Sequence, residues 1–300
     1  FMEDRIRIEA FKWLEKQTMY DDIIARDVLS KGFYYGSNRI TLVGPQGIWK
    51  PRLFSVPLSI TTSPNSPYND SISKDGFLKY KYRGTDPNHR DNVGLRKAML
   101  NRIPLIYFHG IVPGKYLAAW PVYIIRDDPA NLSFTVAVDD KQVLGSNIDL
   151  DNHISEESVY YRRRYISSTV KTRLHQYSFR ERVLDAYKRQ CAFCRLRHAE
   201  LLDAAHIIPD SEEFGDPIVS NGLALCKIHH AAFDRQFIGV SPDYKIIVRE
   251  DILYEKDGPM LKHGIQELHN KRLLLPSNSK NWPDQERLEE RFILFKNVAI

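Results

Sequence analysis

A chain of 300 residues with 43% hydrophobic and 27% charged positions has the composition of an ordinary globular protein with room for two domains. No apolar run approaches the roughly 18 residues that span a bilayer, and the charged opening MEDRIRIEAFKWLEKQ lacks the apolar centre of a secretory leader; both point to a cytoplasmic protein with reduced thiols. Net charge is only +5, yet residues 162–197 hold eleven Lys and Arg against two acids, Glu181 and Asp185, and such a basic belt is the footprint expected for a polyanion, nucleic acid first.

Residues 2–29 read as a helix or two, with Ile8, Phe11 and Leu14 at helical spacing and Asp21-Asp22 as the break. From about 32 to 140 the pattern changes to short strands rich in aromatic and β-branched residues: GFYYG, RITLVG, FLKYKYRG, IPLIYFHG, YLAAWPVYII and SFTVAV. Gly, Pro, Asn and Asp punctuate them, and DNVGLRKAMLN reads as a short inserted helix. Many strands with one or two helices predict a small β-barrel, so the class is α+β. The polar SNIDLDNHISEES reads as a linker, giving an N-terminal domain over 1–150, a linker over 151–167 and a second domain over 168–300. Residues 168–190 place Leu174, Phe179, Val183, Leu184 and Tyr187 at helical spacing behind a basic face, where Arg173, Arg180, Arg182 and Arg189 are candidates for DNA phosphates. Farther on, YKIIVREDIL reads as strand, and the end of the chain as a turn and a closing helix that starts after Pro283.

All three cysteines, and four of the ten histidines, fall between Cys191 and Asp234. Cys191-x2-Cys194 and Cys226-x2-His229 form two knuckles, each able to wrap one edge of a tetrahedron, and four N/S ligands so arranged suit structural zinc. Between the knuckles, LLDAAHI (201–207) and NGLALC (221–226) read as strands, and IHHAAFD (228–234) as the start of a helix. A ββα unit of this size cannot bury its own core, so a metal staple makes physical sense. His206 ends the first strand and Asn221 opens the second. His230 and Asp234 are four apart and share a helix face. A histidine and a carboxylate so placed can hold a divalent cation with positions open to water and phosphate oxygens.

The pattern AAHI-x-P … NGLALC-x2-HH-x3-D resembles the HNH nuclease motif of the ββα-metal fold. The resemblance implies that His206 is the general base, that Asn221 orients the loop and that imidazole or else ligates, and that His230 with Asp234 binds a catalytic Mg²⁺ or Mn²⁺. Many members put an Asp or His ligand immediately before the base; here that position is Ala205, and strand alternation puts Asp203 on the face opposite His206, which argues against it as a simple substitute. The wider block 160–300 is similar to the C-terminal half of bacterial HNH restriction endonucleases, through RLHQYSFRERVLDAY, CAFC, LLDAAHIIPD, NGLALCKIHHAAFD and DGPMLKHGIQ.

The segments PYNDSISKDGFLKYKYRGTDPNHRDNVGLRKAM and IPLIYFHGIVPGKYLAAWPVYI resemble SRA-type modules, PUA-like barrels that flip a modified cytosine out of duplex DNA. Arg83 stands where those modules have a small hydroxyl residue. The resemblance implies a pocket in which Tyr68, Tyr82 and Trp49 offer aromatic faces and Asp70 accepts from the exocyclic amine. The combined expectation is a modification-dependent, type IV-like restriction endonuclease serving phage defence. It would act on double-stranded DNA as a homodimer, since one ββα site cuts one strand. Two other readings stay open: a zinc-stabilised DNA-binding protein that does not cut, for which Ala205 speaks, and a nuclease whose N-terminal half senses a small ligand or a partner. RNA is a further possible substrate.

Overall fold

A computed structural model describes residues 2–19, 22–64, 77–139 and 156–298. Its contacts divide the chain into two compact units, Phe1–Leu174 and His175–Ile300. Among the described residues, no helix is long and apolar enough to cross a membrane.

The first unit opens with α1 (Met2–Gln17), β1 (Ile23–Ala25), α2 (Arg26–Lys31), β2 (Phe33–Tyr35), β3 (Asn38–Ile40), β4 (Ile48–Trp49) and β5 (Ser59–Thr62). It continues with β6 (Leu78–Lys81), α3 (Arg90–Leu100), β7 (Leu105–Val112), β8 (Lys115–Asp128) and β9 (Ser133–Val138). Helix α1 buries Ile6, Ala10, Phe11 and Leu14, whereas Ile8, which the sequence placed in the apolar stripe, is exposed. The sheet runs β4-β5-β7-β8-β9-β6, with β1 added alongside β8. Among the described residues, only the β5–β7 pair is parallel. Among the described residues, the small β-barrel expected from the sequence is a half-barrel, a sheet that curls. Its end strands β4 and β6 are not paired with each other along the strand order. The curl nevertheless brings the Tyr80 hydroxyl of β6 to donate to the Thr61 carbonyl of β5 at 3.4 Å. Every residue of β9 is buried, the mark of a strand covered on both faces.

A single helix, α4 (Glu156–Ala186), begins inside the stretch read as a linker and runs past the boundary between the units. Its first part is tied down chemically. Arg162 and Arg163 both pair with buried Asp139, at 3.0 and 2.7 Å, and Arg163 lies over the Tyr123 ring. Two arginines of the basic belt are therefore internal partners of one carboxylate.

The second unit contains the rest of α4, β10 (Leu202–His206), β11 (Gly222–Cys226), α5 (Lys227–Asp234), β12 (Ile238–Val240), β13 (Ile246–Val248), α6 (Glu250–Tyr254), α7 (Pro259–Gly264) and α8 (Gln285–Val298). Its core joins Phe179, Val183, Leu184 and Tyr187 of α4 to Leu202, Ala204 and Ala205 of β10 and Leu223–Leu225 of β11. Ile238, Val240, Ile246, Val248, Leu273 and Leu288 extend the same cluster. Each large side chain fully buried here contributes about 1.5–3 kcal/mol. The segment YKIIVREDIL is divided between β13 and α6 rather than being one strand.

Candidate active site and metal centre

Strands β10 and β11 pair antiparallel, with Leu202 opposite Cys226 and His206 opposite Gly222. Helix α5 follows β11 without a gap, so the end of a strand and the first turn of a helix deliver Cys226 and His229 to one point. Ligand atoms of Cys191, Cys194, Cys226 and His229 all lie within 4.8 Å of one another. The His229 Nδ1 is 3.4 Å from Cys191 Sγ and 3.2 Å from Cys226 Sγ. Its Nε2 is 2.6 Å from the Gly264 carbonyl. A carbonyl only accepts, so Nε2 carries a proton, which leaves Nδ1, the nitrogen facing the sulfurs, as the one able to ligate a metal. The thiols form no disulfide. Hydrogen bonding with Cys191 and Cys226 pushes the Cys194 thiol up, because closely crowded sulfurs resist further negative charge; a divalent cation at their centre reverses that preference. The donor set, the spacing and the ring tautomer all fit, and this Cys3His group can hold a structural metal.

His206 ends β10 half-exposed, its ring stacked on Phe179 with centroids 4.0 Å apart and planes 18° from parallel. Its Nε2 is enclosed, without a hydrogen-bond partner. Burial pushes its pKa below the ordinary 6.5; Asp210 opposes that shift and His230 adds to it. At neutral pH the imidazole is therefore unprotonated, the form a general base needs. Gly222 makes this stacking possible: a Cβ there would lie 2.6 Å from Val183 Cγ2 and 2.9 Å from Phe179 Cζ.

Asn221 is fully buried, and its amide is engaged throughout. Its Oδ1 accepts from the Ile208 N–H at 2.9 Å, and its Nδ2 donates to the carbonyls of Ile208 and Asp216 at 3.0 and 3.1 Å. The backbone carbonyl of Asn221 also accepts from the Ile207 N–H at 2.9 Å. Of the two roles the sequence left open, orienting the loop after His206 is the one this bonding performs.

His230 on α5 sits between two carboxylates. Nδ1 is 3.7 Å from Asp203 Oδ2, and Nε2 is 3.2 Å from Asp234 Oδ2. Hydrogen bonds to Asp203 and then Asp234 hold its pKa up at about 9. Buried Arg291 reaches Asp234 at 3.3 Å and also donates to the Phe233 carbonyl at 3.2 Å. Asp203 is the residue that strand parity set aside. Parity with His206 holds, since His206 faces Phe179 of α4, but Asp203 faces α5 and there meets His230. An open depression beside these groups is lined by Asp203, Lys227, His230, Ala231, Asp234 and Arg235.

Three of the four arginines expected on DNA have internal partners. Arg180 donates to the Leu202 and Ala199 carbonyls at 2.9 and 3.2 Å, and approaches Glu181 at 2.9 Å and Asp203 at 3.6 Å. Arg182 donates to the Pro217 carbonyl at 2.8 Å, and burial lowers its pKa. Arg189 pairs with Glu181 at 2.5 Å and Asp185 at 2.8 Å. Arg173 lies on α4, with its side chain outside the described residues. Of the base-pocket residues, Tyr68 and Asp70 also lie outside the described residues. Tyr82 is buried: its hydroxyl donates to Asp127, which also accepts from Arg96 Nε at 2.6 Å, and its ring packs on Phe134 at 4.6 Å. Trp49 donates its indole N–H to the Thr41 carbonyl at 2.9 Å and lies against Gly44.

Residues 191–241 match the HNH endonuclease family model. The match spans all four sulfur and imidazole ligands together with His206, Asn221, His230 and Asp234. The chain therefore carries an HNH endonuclease domain, the unit of a DNA-hydrolysing enzyme that works with a divalent metal. Among solved structures, the chain is similar to one described as a modification dependent TagI restriction endonuclease. Identity is 15% and the TM-score 0.29, over 80% of this chain and 81% of that one. No curated protein matches the sequence.

Proposed function

We propose that this chain is a modification-dependent restriction endonuclease that cuts double-stranded DNA at sites marked by a modified cytosine. The feature that carries the cutting reading is the juxtaposition of His206, its pKa depressed by burial, with His230 seated between Asp203 and Asp234, on a ββα unit whose Cys3His group can hold a metal. Cys191, Cys194, Cys226 and His229 hold structural zinc. His230, once a cation displaces its proton, and Asp234, with Asp203 beside them, would hold a Mg²⁺ or Mn²⁺, which would supply positive charge to the phosphate and the leaving oxygen. His206 accepts the proton of the attacking water at Nδ1, the ring nitrogen that is not enclosed. Phe179 fixes the plane of that ring, and Asn221 fixes the loop that follows it.

Reading of the modified base is assigned to the N-terminal unit, on the likeness of its residues to SRA-type modules. There a flipped cytosine would stack on aromatic faces, with a carboxylate accepting from its exocyclic amine. Two copies act together on a duplex, because each site cuts one strand. The test incubates unmodified, 5-methylated and 5-hydroxymethylated plasmid with the protein and Mg²⁺ or Mn²⁺, beside His206→Ala. Cutting restricted to modified DNA and lost in the variant is expected. Equal cutting of all three plasmids removes the base-reading half, and equal strand integrity with and without His206 removes the enzyme.

A further inference from the structure

Lys227 and Arg235 occupy the two ends of the α5 face that carries His230 and Asp234. Positions 230 and 231 lie three and four residues after 227, and 234 and 235 three and four after 231, which is one stripe on a helix, and all five line the open depression. Both basic side chains are exposed, and among the described residues neither has an ion pair or a hydrogen bond. That separates them from Arg162, Arg163, Arg180, Arg182 and Arg189, each held by internal acids or carbonyls.

We infer that Lys227 and Arg235 form a phosphate clamp, gripping the strand backbone on either side of the phosphate presented to His206 and His230. The inference rests on the nuclease reading and identifies which cations hold its substrate. At a rise of 1.5 Å per residue, Lys227 lies about 7.5 Å along the axis from the midpoint of His230 and Asp234, and Arg235 about 4.5 Å beyond it. Successive phosphates of one strand advance about 3.4 Å along the duplex axis. Long basic side chains at those two stations therefore reach phosphates that flank the central one. The charge pattern requires such a clamp. Asp203 and Asp234 place negative charge where DNA must approach, and cations at both ends of the stripe offset that repulsion. The two ends are chemically unequal. Arg235 offers a planar fork for two oxygens of one phosphate, and Lys227 a point charge, so a strand is held with a defined polarity.

The experiment measures binding rather than cutting. A fluorescently labelled duplex oligonucleotide is titrated with the full chain at a series of KCl concentrations, with no divalent cation added. The proteins compared are wild type, Lys227→Ala, Arg235→Ala, Lys227→Arg and Arg235→Lys. Each alanine variant is expected to flatten the slope of log affinity against log salt by about 0.9, the value for one phosphate contact on B-DNA. Each should also weaken binding equally on modified and unmodified duplex. The charge-conserving variants should keep the wild-type slope, a rescue that a merely structural role would not give. Thermal melting of all five should coincide, because both side chains are exposed. If wild type binds and cuts DNA but the alanine variants keep its slope and affinity, the clamp is wrong and the nuclease stands. If wild type neither binds nor cuts any DNA with Mg²⁺ or Mn²⁺, the nuclease reading falls and takes the clamp with it.

Discussion

Replacing Gly222 with alanine adds one methyl group at the point where three elements meet. Its Cβ would lie 2.6 Å from Val183 Cγ2 and 2.9 Å from Phe179 Cζ. Ordinary carbon contacts begin near 3.5 Å, so the helix must retreat by up to about 0.9 Å. Neither neighbour has slack, since Val183 is fully buried and Phe179 is 2% exposed. Overpacking of this kind costs about 1–3 kcal/mol. At about 4 °C per kcal/mol for a unit of this size, Tm should fall by about 4–12 °C. Function should suffer more than stability, because Phe179 is the surface on which His206 rests. Misplacing a reacting group by about 1 Å can cost about 10²-fold in rate. The assay pairs a thermal melt with plasmid cutting at 25 °C, where the variant remains folded. Adding Val183→Ala in the same chain removes the closest clash and should recover part of both losses. A variant that melts and cuts like wild type would refute the claim that close approach at Gly222 positions the base.

The pH profile of cutting should show its acid limb inflecting below 6.5. The active form of His206 is unprotonated and its folded pKa is depressed by burial, so the rate holds as pH falls past 6.5 and is lost only through the lower value; Phe179→Ala, which wets the ring, should move the inflection back up. Asn221→Ala leaves the Ile208 N–H and the Ile208 and Asp216 carbonyls without their partner. That should lower the unfolding free energy by about 2–4 kcal/mol in a urea titration; an unchanged midpoint would show that the loop is held by something else. Elemental analysis should find one tightly held zinc per chain, and Cys194→Ser should lose it together with cooperative melting of the second unit, since the metal contributes folding energy outright.

What could be read from the sequence was what depends on neighbours in the chain. The two ligand knuckles, the β10–β11–α5 order and the shared face of His230 and Asp234 all follow from spacings of a few residues. What spacing alone does not show is the partners that the fold supplies. The eleven basic residues looked like an open belt, yet Asp139, Glu181 and the Leu202 and Pro217 carbonyls engage five of the arginines. Tyr82 looked available for stacking, but its partner Asp127 lies 45 positions away. Alternation puts Asp203 on the face opposite His206 but does not say that this face meets α5 and His230. Strands β4, β12 and β13, of two or three residues, are too short to show a period. The curl of the first sheet depends on contacts such as Tyr80 to Thr61, which no local pattern records.

The stretch that carries the family's signature is not an object that could be cut out and kept. Gly264, beyond its end, fixes the ring of His229. Arg291, farther still, braces Asp234 and the Phe233 carbonyl. The Leu274 N–H bonds to the Ala192 carbonyl at 2.9 Å, and Leu268, Leu273 and Leu288 fill the interior that β10 and β11 share. On the other side, α4 brings Phe179 and Val183. The family match spans residues 191–241, while cohesion is distributed over a unit more than twice as long. Grafting 191–241 into a foreign scaffold would transfer the ligands and the base without the walls that aim them.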